Sequence, residues 1–85
     1  MERKTDIAAQ VTRMFQDHLN IKVPGPDTDL VAQGMLDSLA LVDLILRIEE
    51  DMGVVVDMET LEIEDFRTVH SISDYLIAAR NGSAS

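Results

Sequence analysis

Between residues 38 and 52 the apolar side chains recur at a spacing that only a helix places on one side. With about 100° between successive residues, Leu41, Leu44, Ile45, Ile48 and Met52 gather into a single stripe, the face a surface helix turns to a core. Leu39, Val42 and Leu46 gather on a different side, beside Ser38 and flanked by Asp43, Glu49 and Glu50. One stripe is enough for a surface helix. The second faces either another packing partner within the fold or a docking surface for another protein. Gly53 is a good C-terminal stop, and at the other end Asp37 or Ser38 can cap the first turn through a side-chain oxygen. A serine there holds its hydroxyl at the positive end of the helix dipole, where an added phosphate diester is electrostatically favoured.

The rest of the chain supplies partners for that helix. Ile7, Ala8, Val11, Met14, Phe15 and Leu19 recur at three- and four-residue spacing, which predicts a first helix over residues 5–19. Residues 20–37 form a long connection in which Pro24-Gly25-Pro26 ends that helix and excludes another nearby. Leu30, Val31, Met35 and Leu36 anchor the connection to the core, and it delivers the chain to Ser38. Val54-Val55-Val56 has strand propensity but no second β segment to pair with, so it reads as an extended connector. Residues 58–65 read as a short third helix or irregular turn. Phe66 and Val69 of the next connector point inward, and Ser71-Ile72-Ser73-Asp74 resembles a capping box opening a last helix that buries Ile72, Tyr75, Leu76 and Ala79. The expected fold is an all-α four-helix bundle: three main helices, a short third one, and a long first loop. Residues 1–80 form one domain and residues 81–85 a flexible tail.

Size and charge narrow the function. A chain of 85 residues buries only about 60–65% of its unfolded surface and has little room to enclose a deep active site. Its formal net charge of −9 argues against nucleic acid or an anionic membrane as partner and for basic patches on proteins. There is no cysteine, hence no disulfide framework and no protein thiol chemistry. Asp43 and Arg47 interrupt the most apolar stretch, so no membrane span is expected, and the cytosol is the expected location for a monomeric protein.

Catalytic patterns are not found in the sequence. There is no Gly-x-Ser-x-Gly elbow, no Gly-rich phosphate loop and no zinc-type His/Cys cluster. Asp27-Thr28-Asp29 lacks the glycine and terminal glutamate of a calcium loop, so no metal site is assigned. His18 reads as a surface residue near a helix C-terminus and His70 as a partly exposed connector residue. No catalytic residue is assigned. The chain reads as a protein that presents something to enzymes.

With these residues in view, the chain resembles the acyl carrier proteins and their aminoacyl-carrying relatives over nearly its whole length. The resemblance rests on Asp37-Ser38-Leu39 opening an acidic helix with Val42, Asp43, Leu46, Glu49 and Glu50, then Gly53, Val55-Val56, Phe66-Arg67-Thr68-Val69 and a last helix. It implies that Ser38, next to Asp37, is the attachment site of 4′-phosphopantetheine, transferred from coenzyme A by a phosphopantetheinyl transferase. The arm's thiol would carry an acyl or aminoacyl group as a thioester, which suits a cysteine-free domain. Leu39, Val42 and Leu46 would form the apolar part of a docking face, with Asp37, Asp43, Glu49 and Glu50 contacting basic residues of partners. Those partners would be an acyl- or aminoacyl-activating ligase and an acyl-processing synthase or transferase.

Two departures from the fatty-acid carrier pattern point to a specialised pathway. Met35 and Leu36 both stand between Gly34 and Asp37, where fatty-acid carriers have one residue, and Ala40 follows Leu39 where they often have an acid. A Gly-x-Leu-Asp-Ser run is more similar to D-alanyl carriers and other discrete carriers served by adenylate-forming ligases. The first expectation is therefore a non-catalytic acyl carrier protein, the second an aminoacyl or D-alanyl carrier. The third is an unmodified helical interaction module.

Overall fold

The computed structural model describes residues 3–57, 59 and 61–80. Its frame is three α-helices, α1 (Lys4–His18), α2 (Ser38–Met52) and α3 (Val69–Arg80), with a 3-10 turn at Ile63–Phe66. The described residues contain no strand, so the architecture is all-helical. It differs from four helices in one place. Where a short third helix or irregular turn is expected over residues 58–65, the described residues hold that single 3-10 turn, while Met58 and Thr60 lie outside them. The tail expected over residues 81–85 lies outside them too.

Helix α1 buries Ile7, Val11, Met14 and Phe15 and packs mainly on α3, more lightly on α2. Its stop differs from the sequence expectation. Asn20 takes a left-handed backbone (φ 56°), a conformation asparagine tolerates better than most residues. The Ile21 amide then turns back to donate to the Phe15 carbonyl at 2.8 Å. The chain has therefore left the helix before the prolines are reached.

The core is completed by segments outside the helices. Leu30 and Leu36 of the long loop are buried, with Val31 and Met35 half-buried beside them. Val54 and Val56 are buried while Val55 between them is 75% exposed. That is the alternation of an extended chain with one side on the core. Phe66 and Val69 are fully buried, as the sequence predicts, and the Phe66 ring meets Tyr75 at a centroid distance of 5.4 Å in a tilted arrangement.

The start of α3 corrects the expected capping box. Thr68 and Ser71, not Ser71 and Asp74, form the reciprocal pair. The Ser71 amide donates to Thr68 Oγ1 at 3.0 Å and the Thr68 amide donates to Ser71 Oγ at 3.1 Å. Two first-turn donors are thus satisfied by hydroxyls. Ser73 is instead fully buried within the helix, its Oγ donating to the Val69 carbonyl at 2.7 Å, and Asp74 faces outward to Lys4 at 3.0 Å. His70 accordingly lies in the first turn of α3 and not in a connector. No helix among the described residues is long and apolar enough to cross a membrane.

Candidate functional site

The site is built where the long loop becomes α2. Asp37 has extended backbone, its Oδ1 accepts the Ala40 amide at 2.8 Å, and its carbonyl accepts the Leu41 amide at 2.8 Å. Asp37 is therefore the cap, which leaves Ser38 as the first helical residue. Ser38 is exposed, and its hydroxyl bonds to no described residue. The Ser38 and Leu39 amides likewise have no acceptor among the described residues, as expected for the first donors of a helix. An exposed hydroxyl beside two open amides at the positive end of a helix is a fitting place for a phosphate diester. Leu36, buried two residues before Ser38, seats the junction in the core, and Gly34 makes the preceding turn with φ 72°.

The two stripes of α2 separate cleanly. Leu44, Ile45 and Ile48 are buried, with Leu41 and Met52 half-buried. Leu39 is 82% exposed, Leu46 53% and Val42 44%, so no described part of the fold covers the second stripe. Asp43, Glu49 and Glu50 are exposed around it, and Glu50 already has a cation within 3.4 Å in Arg47. At the far end of the helix a groove of about 430 Å³ is lined by Gln10, Arg13, Met14, Asp17, His18, Glu50 and Asp51. His18 lies there, with Nε2 3.7 Å from the Asp51 carboxylate. The groove does not include Ser38, which is exposed.

The carboxylates of the Asp27-Thr28-Asp29 run face side-chain donors of the chain itself. Asp29 pairs with Arg67 at 3.0 Å, and Arg67 reaches Glu64 with its other side at 3.1 Å. Asp29 Oδ1 also accepts the Ala32 amide at 2.9 Å. Its carboxyl is held below the ordinary value of 3.8, first by that amide and then by the Arg67 guanidinium, against a desolvation that pushes the other way. Glu64 first, then Asp29, hold Arg67 more firmly protonated. A depressed carboxyl adds stability that is complete above its unfolded value and disappears as pH falls through the folded one. Wild type should therefore be more stable than Asp29→Asn at neutral pH, and the two should converge in acid. Urea midpoints of both proteins across that range test this, and a gap independent of pH would count against it.

Residues 9–76 match the family described as the phosphopantetheine attachment site, and the chain belongs to that family. It is a phosphopantetheine-binding carrier domain, and membership implies covalently attached 4′-phosphopantetheine. Among individual proteins it is similar to the D-alanyl carrier protein of Streptococcus mutans serotype c. The two are 25% identical over 81 residues, which cover 95% of this chain and 99% of that protein.

Proposed function

We propose that the protein is a non-catalytic carrier whose Ser38 holds 4′-phosphopantetheine and that shuttles acyl groups between partner enzymes. The observation that carries the reading is the division of labour at the start of α2. Asp37 takes the capping role, so Ser38 Oγ is exposed and free to be esterified. The open Ser38 and Leu39 amides and the helix dipole would stabilise the diester's negative charge. Asp37 stands next to it as the cap that orients the turn. When bound, the group supplies the thiol for a thioester, which no residue of this cysteine-free chain can offer.

The uncovered stripe of Leu39, Val42 and Leu46, ringed by Asp37, Asp43, Glu49 and Glu50, is proposed as the docking face for the transferase, the ligase and the acyl-processing partners. Charged rims of this kind raise encounter rate and selectivity more than affinity, which suits a shuttle that must release. We also read the 3-10 turn at Ile63–Phe66 as the place of the short third helix of a four-helix carrier bundle.

The likeness to a D-alanyl carrier protein, together with the Gly34-Met35-Leu36-Asp37-Ser38 run, favours a second reading in which the cargo is aminoacyl and an adenylate-forming ligase loads it. One experiment addresses both. The protein is incubated with coenzyme A, magnesium and a broad-specificity phosphopantetheinyl transferase. The modified form is then offered amino acids or fatty acids with ATP and candidate ligases. A phosphopantetheine-sized mass gain on the peptide containing Ser38 supports the carrier, and the acid that loads tells the two cargoes apart. No gain by folded, initially unmodified protein would leave an acidic interaction module.

A further inference from the structure

The loop that leads to Ser38 is fastened to the entry of α3 by two side-chain pairs and two backbone bonds. Asp27 Oδ1 lies 2.7 Å from His70 Nδ1, and Asp29 Oδ2 lies 3.0 Å from Arg67 Nη1. Between them the His70 amide donates to the Pro26 carbonyl at 3.1 Å, and the Leu30 amide donates to the Arg67 carbonyl at 2.7 Å. Residues 26–30 of the loop thus close onto residues 67–70. The His70 contact needs only a proton on Nδ1, which a neutral or a cationic ring can provide.

Leu30 carries this constraint onward. Fully buried, it gives its amide to the clasp, while its carbonyl accepts the Met35 amide at 2.9 Å and the Leu36 amide at 3.1 Å. Those are the two residues before Asp37 and Ser38. Asp29 closes the intervening turn by accepting the Ala32 amide on its side chain and the Gln33 amide on its carbonyl, at 2.9 and 3.0 Å. A continuous set of hydrogen bonds therefore runs from Arg67 and His70, far along the chain, to the two residues that set where α2 begins.

We propose that Arg67 and His70 are positioning residues for the modification of Ser38: by clasping Asp29 and Asp27 they hold the loop in the arrangement that presents the serine to the phosphopantetheinyl transferase. This rests on Ser38 being the attachment site. The side chains involved are partly exposed, so losing the clasp strands no charge in the core. Its effect is on a local equilibrium between a seated and an unseated loop. An exposed pair shifts such an equilibrium by about fivefold at most, and a second pair in the same clasp adds to that shift without simply multiplying it.

The test compares wild type, Arg67→Met, the double variant Arg67→Met/His70→Ala, and Ile72→Val as a core-destabilised control. Initial rates of phosphopantetheine gain at sub-saturating carrier are read by intact mass, with amide hydrogen exchange at Met35 and Leu36. The expected result is a rate measurably lower in Arg67→Met, by no more than about fivefold, and lower again in the double variant. Exchange at Met35 and Leu36 should be faster in both variants while α1 stays protected. Ile72→Val should keep the wild-type rate despite a lower thermal midpoint. Wild-type rates in the clasp variants, or a slowing that only tracks thermal midpoint across all four proteins, would overturn the proposal. A wild-type protein that gains no mass at Ser38 would instead overturn the attachment reading, and this proposal with it.

Discussion

Ser38→Ala is expected to remove every phosphopantetheine-sized mass gain while leaving the fold as it is. The two halves of that expectation come from the same geometry. The hydroxyl bonds to no described residue, because Asp37 Oδ1 already takes the Ala40 amide, so its loss leaves no partner unsatisfied. Alanine is also the better helix former. Folding free energy should therefore stay within about 0.5 kcal/mol of wild type, as for other surface changes that touch no special feature. A serine that were itself the cap would cost about 1 kcal/mol on removal. Matched urea curves with a complete loss of modification would make Ser38 the acceptor oxygen. Continued mass gain in the variant would move the attachment to another hydroxyl.

Phe66→Ala should be among the most damaging single substitutions for the fold. Phe66 ends the 3-10 turn, is fully buried, and meets the Tyr75 ring at 5.4 Å. Truncating a buried phenylalanine costs about 3–5 kcal/mol, from lost transfer energy and the cavity left behind. At roughly 0.05–0.15 kcal/mol per residue, a chain of this length has only about 4–13 kcal/mol to lose. The thermal midpoint should fall by at least about 12 °C, and at the lower end of that stability range the variant would not fold. Urea and thermal melts followed by far-UV circular dichroism measure this. A loss under about 1 kcal/mol would mean that the neighbours close over the gap or that the ring is not packed as described.

What the sequence disclosed follows from how local each determinant is. The bounds of α2 were readable because an aspartate-serine start, a sustained helical period and Gly53 all lie within one short stretch. Gly53 does take the left-handed backbone, at φ 68°. The two faces of the helix followed from the same period, whereas the cap was open between Asp37 and Ser38 until the structure assigned it to Asp37. The entry of α3 misled because Ser71-x-x-Asp74 looks like a capping box, whereas the pair that forms, Thr68 and Ser71, uses two hydroxyls and lacks the acidic partner of the usual pattern. The end of α1 misled because the prolines are conspicuous, while the left-handed turn at Asn20 leaves no comparable mark. The clasp was not readable at all. Asp29 and Arg67 are 38 residues apart, and only tertiary packing brings two such residues together. In the sequence Asp29 belongs to a run that fails as a calcium loop and Arg67 to the Phe66-Arg67-Thr68-Val69 motif, and nothing pairs the two.

The sidedness of α2 has a consequence for how such a protein can change. The residues that hold the helix in the core, Leu44, Ile45 and Ile48, are not the residues on its outward face, Leu39, Val42, Asp43 and Leu46. Because the second set lies outside the buried core, with Leu39 largely exposed and Val42 and Leu46 about half exposed, it can be rewritten by mutation at smaller cost in folding than the first. The cap at Asp37 and the stop at Gly53 keep the helix in register while that happens. A single helix thus combines a mutationally rigid inner surface with an evolvable outer one. On the proposed docking role of that face, a lineage could acquire new partners one substitution at a time without ever passing through an unfolded intermediate sequence.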